Sequence, residues 1–295
     1  RGLRAPLFMW ALMELQMAPV WQTTRFRIPL DRPVVMGIVN VTPDSFSDGG
    51  RGIGNAMAHC EQLLKEGAGI LDIGGESSRP GADPVSLEAE LARVLPVLRE
   101  ALKLGVPVSV DTYKAEVMRQ SLDLGVDIIN DIAALRAQGA VQVVAAHPGC
   151  GVCLMHMRGE PRSMQADTFY SDVVAEVRDF LAVRLAVLRA AGVVAERIVL
   201  DPGIGFGKSV RQNFDLLPGQ RALLALGHPV LAGWSRKSAL GAVTGRPTNQ
   251  RMVASVAAAL AAVHHGARII RVHDVAATAD ALAIWAAAGL SPGGD

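Results

Sequence analysis

Short apolar runs alternate with longer amphipathic stretches along most of the chain. The runs at 34–41, 70–74, 107–110, 128–130, 152–157, 198–200, 229–232 and 269–272 are too short for helices and are mostly apolar throughout. They read as strands buried on both faces. Between them, stretches such as 87–103, 172–191 and 252–264 repeat apolar positions at the helical period. Strand–helix alternation of this kind predicts an α/β fold with a parallel sheet, and eight units predict closure into a single (β/α)8 TIM barrel. An open doubly wound sheet shares the periodicity, and period alone does not separate the two.

The polar residues gather at one end of these units. The first strand runs into Asn40-Val-Thr-Pro-Asp-Ser-Phe46-Ser-Asp48, and the second into Gly74-Gly-Glu-Ser-Ser78-Arg79-Pro80-Gly. Later strands end in Asp111, Asn130-Asp131, Met155-His156, Asp201, Ser235-Arg236-Lys237-Ser238 and Arg271-Val-His273. A barrel enzyme builds its site from the loops that follow its strands, so this distribution predicts an enzyme site at that rim. One Asp or Asn closing a strand is often only a helix cap. Asp111, Asn130 and Asp201 on a single rim predict instead a flat polar ligand with many N–H donors.

Arg271 and His273 alternate on the last strand and so face the same side. With Arg79 and Arg236 nearby, they predict an anion clamp suited to a diphosphate. Ser235–Ser238 precedes a helical pattern, where hydroxyls and amides favour carboxylate or phosphate. The run Gly203-Ile-Gly-Phe206-Gly-Lys208-Ser209 lacks the spacing of a Walker A phosphate loop. It reads as a flexible turn with a solvated lysine, where backbone and ligand approach closely.

Composition narrows this further. A length of 295 residues suits one barrel, and 50% hydrophobic with 19% charged residues allows a large core under a polar surface. Lys plus Arg (29) nearly balances Asp plus Glu (28), so nothing draws the whole chain to nucleic acid or a membrane surface. The three cysteines make no disulfide framework. Cys150-Gly-Val-Cys153 has no second pair and reads as buried thiols leading into a strand, in a reducing, cytoplasmic compartment. The apolar stretch at 8–13 is interrupted by Glu14 and falls far short of the ~20 residues that span a bilayer. Residues 1–25 are expected to be an extension, poorly ordered or foreign to the native chain, with 26–295 as the domain. The Ala-rich stretches 256–262 and 276–288 read as packing helices whose small side chains suit a homodimer contact. His264-His265-Gly266 reads as a helix end.

The segments 40–50 and 74–81 resemble the two signature segments of the dihydropteroate synthases, a family of pterin-binding enzymes. The later motifs 201–208, 235–238 and 271–273 are similar to that family's in the same order, with Ser78 and Ile204 standing where threonine and phenylalanine are common. The resemblance implies a pterin pyrophosphate and p-aminobenzoate as substrates, and Mg²⁺ as cofactor. It implies that Asp111, Asn130, Asp201 and Lys237 hold the pterin ring, with Met155 and Ser235 among the binding residues. Asn40 would help to hold Mg²⁺ on the diphosphate, whose oxygens Arg79, Arg271 and His273 would bind. Phe46, Ser78, Pro80, Phe206 and Ser238 would form the p-aminobenzoate pocket. Loops 43–54 and 76–86 would close over the site. Catalysis would then rest on Asp111, Lys237, Arg271 and His273. A pterin-binding methyltransferase would keep Asn130 and Asp201 but need no diphosphate clamp. A non-catalytic pterin-binding copy would be expected to lose Asn40, Asp48 and Arg79, which are present.

Overall fold

The structure, a computed structural model, describes residues 19–41, 51–77 and 81–293. A short antiparallel hairpin comes first, β1 (Val20–Gln22) and β2 (Arg27–Pro29). The barrel strands follow: β3 (Val34–Asn40), β4 (Ile70–Gly74), β5 (Val108–Asp111), β6 (Ile128–Asp131), β7 (Gly151–Met155), β8 (Ile198–Asp201), β9 (Leu231–Ala232) and β10 (Ile269–Val272). All pair in parallel, in the order β8-β7-β6-β5-β4-β3-β10-β9. The two ends of this sheet meet at a bridge between Leu200 and Val230, where the Leu200 N–H donates to the Pro229 carbonyl at 2.9 Å. The sheet is therefore a closed barrel, and the open alternative falls.

Alternation along each strand divides two cores. Outward residues such as Leu71, Val110, Ile129, Val152 and Leu200 pack under the surrounding helices. These helices are α1 (Arg51–Lys65), α2 (Leu87–Ala101), α3 (Ala115–Asp123), α4 (Ala140–Ala146), α5 (Val173–Ala190), α6 (Val210–Leu224), α7 (Ser238–Thr244), α8 (Met252–His264) and α9 (Val275–Ala287). Their starts are set locally: Asp172 accepts the Val174 and Ala175 N–H groups ahead of α5, and Ser209 with Gln212 forms a capping box on α6. The predicted end of α8 is found, with Gly266 in the left-handed region at φ 97°.

Inward residues form a separate plug. Met36, Ile70, Ile128, Cys153, Val199, Leu231 and Ile269 pack with Trp21, Ile28 and Leu30 of the hairpin. The hairpin closes the bottom of the barrel. Trp21 is fully buried, and its indole Nε1 donates to the Arg197 carbonyl at 2.9 Å. A Cβ on Gly151 would lie 2.9 Å from that nitrogen, so glycine leaves the indole its space. Arg25 holds the turn through Asp127 at 2.6 Å, and Asp127 also accepts the Val108 N–H at 2.9 Å. Residues 19–25 therefore belong to the barrel's floor rather than to an extension. Residues 1–18 lie outside the described residues.

Higher in the barrel the lining changes character. Two residues above the plug, Ile70 gives way to Asp72, Ile128 to Asn130, Val199 to Asp201 and Ile269 to Arg271. The period of two thus stacks a polar layer on an apolar one.

Candidate active site

This polar layer opens into a cavity of about 370 Å³ at the C-terminal ends of the strands. Its centre is an ion-pair network. Arg271 donates from Nε to Asp72 Oδ2 and from a terminal nitrogen to Asp111 Oδ2, both at 2.6 Å. The Asn130 amide donates to the same Asp72 oxygen at 3.2 Å. Side-chain exposure is 21% for Arg271, 0% for Asp72 and 11% for Asp111, so the three groups are satisfied largely by one another and not by water. Burial alone would lower the Arg271 guanidinium, but Asp72 and Asp111 hold it above its ordinary value. Burial pushes the Asp111 carboxyl up to about 7, against the pull of Arg271 and with the push of Asp72. Asp201 is raised by burial too, and one of its oxygens accepts the Gly203 N–H at 2.7 Å.

One wall is apolar, where Ile132, Met155, Met164 and Phe206 pack together. The Lys237 ammonium stands 4.2 Å from the centre of the Phe206 ring, within cation–π reach. On the rim, the Ser235 hydroxyl accepts the His273 N–H at 3.1 Å and lies 3.0 Å from that residue's Nδ1. With Nδ1 accepting, a neutral ring carries its proton on Nε2.

The segment joining Ser235 to Lys237 is held under strain. Arg236 has φ 59°, a left-handed conformation that a residue with a Cβ rarely adopts. Its N–H donates to Ser255 at 2.9 Å, and its carbonyl accepts from Arg251 at 3.1 Å. Its guanidinium pairs with Asp274 at 2.5 Å. Arg236, expected near the anion clamp, does line the cavity, with its guanidinium turned to Asp274. Arg251 reaches across Gly241, where a Cβ would meet the guanidinium at 2.2 Å. The helix α7 that follows has seven residues.

The turn after β8 also departs from expectation. Lys208 is 3% exposed, not solvated. Its ammonium lies 2.9 Å from His156 Nδ1 and 3.0 Å from the carbonyls of both Gly203 and Phe206. Burial lowers its amine to about 7, Asp201 opposing and Lys237 adding to the shift. Burial, then Lys208, pushes the His156 imidazole down to about 2. The three cysteines are free and buried, as the sequence predicts.

Of the residues singled out in the sequence, Asn40, Asp111, Asn130, Met155, Asp201, Phe206, Ser235, Lys237, Ser238, Arg271 and His273 all line this one cavity. Phe46, Ser78, Arg79 and Pro80 lie outside the described residues, as does most of the first loop. Asp111, Asn130 and Asp201 face the cavity and are not helix caps; Asp131 takes the local capping role, accepting the Ala133 and Leu135 N–H groups. Arg251 was missed, and Asp72, which stands in the polar end of its strand, was given no role. Asp72 had a signal: a carboxylate inside the apolar run Ile70–Gly74 is rarely buried without a partner.

A closed barrel with this acceptor-lined mouth has the form of an enzyme site for a flat ligand rich in N–H donors. The family model described as pterin binding enzyme matches residues 36–273, and the chain belongs to that family. Within it, the chain belongs with the dihydropteroate synthases. It is 55% identical over 278 residues to the dihydropteroate synthase of Neisseria meningitidis serogroup C, covering 92% of this chain and 98% of that one. The Burkholderia cenocepacia dihydropteroate synthase complexed with 7,8-dihydropteroate superposes with a TM-score of 0.83 at 50% identity, over 92% of this chain and 96% of that one. The Xanthomonas albilineans enzyme with 4-aminobenzoic acid gives a TM-score of 0.87 at 49% identity, over 93% of this chain and 100% of its own.

Proposed function

We propose that the chain makes 7,8-dihydropteroate in folate biosynthesis, joining 6-hydroxymethyl-7,8-dihydropterin pyrophosphate to p-aminobenzoate with release of diphosphate. The observation that carries this reading is the layer of Asp111, Asn130, Asp201 and Arg271 beneath a rim bearing Lys237 and His273. The oxygens of Asp111, Asn130 and Asp201 take the ring N–H groups of the pterin, with Met155 and Lys237 beside it. Arg271 and His273, with Arg79, face the diphosphate. Phe206 and Ser238, with Phe46, Ser78 and Pro80, bound the p-aminobenzoate, and Ser235 holds His273.

The bond between the pterin methylene and the diphosphate oxygen breaks first, and the oxygen keeps the electron pair. The pterin ring spreads the resulting positive charge, which the Asp111 and Asp201 carboxylates stabilise. The amine of p-aminobenzoate then forms the new C–N bond and releases a proton. No nucleophile of the protein takes part.

The residues present suit a magnesium ion held mainly by substrate. Among the described residues, no group of three or more His, Cys, Asp or Glu could hold a metal. Asn40, exposed at the end of β3, offers one hard oxygen, which matches an ion that keeps its waters and substrate phosphates. Bound there, Mg²⁺ would neutralise charge on the departing diphosphate.

The compartment is the cytoplasm, a reading supported by three free, buried thiols. The active form is a homodimer, supported by Met252, Val253 and Ile284, which are 47%, 75% and 72% exposed on the neighbouring helices α8 and α9.

Purified protein mixed with the pterin pyrophosphate, Mg²⁺ and labelled p-aminobenzoate is expected to yield dihydropteroate and diphosphate. The product is expected to vanish with EDTA and to fall with an added sulfonamide. Tight pterin binding without product, from folded protein, would move the assignment to a methyltransferase or a non-catalytic pterin-binding protein.

A further inference from the structure

The Gly203–Gly207 turn forms part of the cavity wall, yet what holds it lies behind the wall. Ile204, Gly205 and Phe206 line the cavity. Gly203 and Gly207 are in the left-handed region, at φ 70° and 60°. A Cβ on Gly203 would sit 1.8 Å from the His156 carbonyl oxygen, and one on Gly207 would sit 2.8 Å from that of Arg158. The turn is therefore pressed against the segment that follows β7, with its carbonyls directed inward. Inward-facing carbonyls out of water need donors.

Lys208 supplies them. Its ammonium has three N–H donors and meets the carbonyls of Gly203 and Phe206 at 3.0 Å and His156 Nδ1 at 2.9 Å. The His156 carbonyl is a further acceptor at 3.4 Å. No other charge on the protein neutralises this ammonium by a direct ion pair among the described contacts. His156 is fixed in turn, its ring packed edge-on against Phe180 with centroids 4.9 Å apart. On the cavity side, Phe206 carries the Lys237 ammonium over its ring. A Cβ on Gly205 would come within 3.0 Å of the Lys237 side chain, so turn and lysine fit closely.

We propose that Lys208 is a positioning residue for this site: its buried ammonium gathers the carbonyls of the turn and the His156 ring, and so sets Phe206 and Lys237 against the bound substrates. Lys208 does not touch substrate. Its effect passes through the shape of the turn, and it extends the reaction proposed above to a residue behind the site.

Steady-state kinetics of Lys208→Met test this, with His156→Leu and His156→Gln as companions. Met keeps the volume but offers no donor, and misplacing Phe206 and Lys237 is expected to lower kcat/KM by about 100-fold, mostly through KM. His156→Gln keeps an acceptor and is expected to stay within about threefold of wild type, while His156→Leu is expected to lose about tenfold. If Lys208→Met does not fold, the two His156 variants, which retain the lysine, decide the matter. A folded Lys208→Met with wild-type KM values and only a lowered melting temperature would overturn the inference, as would equal kinetics for the two His156 variants. Wild-type protein that forms no dihydropteroate would instead refute the proposed reaction. In that case equilibrium binding of the pterin, expected to weaken in Lys208→Met, reads the turn on its own.

Discussion

Asp111 spends most of its interaction with the protein on a single partner, Arg271, in surroundings that favour the uncharged acid. Its carboxyl is raised from 3.8 to about 7, so it is ionised above that pH and neutral below it. A raised acid also binds its proton more tightly in the native than in the unfolded state, so this group lowers stability as pH rises from about 4 to 7. If the carboxylate form holds the pterin, affinity for the pterin weakens as pH falls through 7. Calorimetric titrations from pH 5.5 to 8 are expected to show this, and to show it lost in Asp111→Asn, which also cuts turnover without unfolding the protein. Pterin affinity constant across that range would remove Asp111 from its assigned role. Asp111 was legible in the sequence because it ends a strand. Its coupling to Asp72 was not, since Arg271 joins them from 160 and 199 residues away. Lys208 was misread for a related reason: its acceptors are mostly backbone carbonyls, which leave no mark in a sequence.

Among the elements, the barrel strands could be read from the sequence because burial on both faces removes polar residues from them. The floor hairpin could not. Its strands have three residues each, with one buried side chain apiece, Trp21 and Ile28, too few for a period to show. Closure followed from the count of eight units and not from the period, since it rests on the bridge at Leu200 and Val230 rather than on a long pairing. The hairpin's contribution is measurable. Trp21→Ala removes a fully buried indole and its bond to the Arg197 carbonyl, and is expected to cost about 3–5 kcal/mol of stability in denaturant titration. A loss under about 1 kcal/mol would mean that the barrel repacks without its floor.

At the scale of the whole molecule, the Ala-rich helices read as packing surfaces in the sequence, and α8 and α9 do pack together. Their outer faces keep Val253 and Ile284 in solvent. If two copies meet there, placing Glu at both positions is expected to give monomers in sedimentation velocity while the circular dichroism spectrum is kept. Wild-type protein that sediments as a monomer at micromolar concentration would exclude the homodimer.

The hairpin has a bearing on traffic as well as on stability. With Trp21, Ile28 and Leu30 filling the bottom, the barrel is, among the described residues, a tube stopped at one end. On the proposed allocation the pterin occupies the depth and p-aminobenzoate the threshold, so whatever sits at the threshold bars the way in and out. That allocation predicts a queue, with the pterin expected to enter first and the arylamine second.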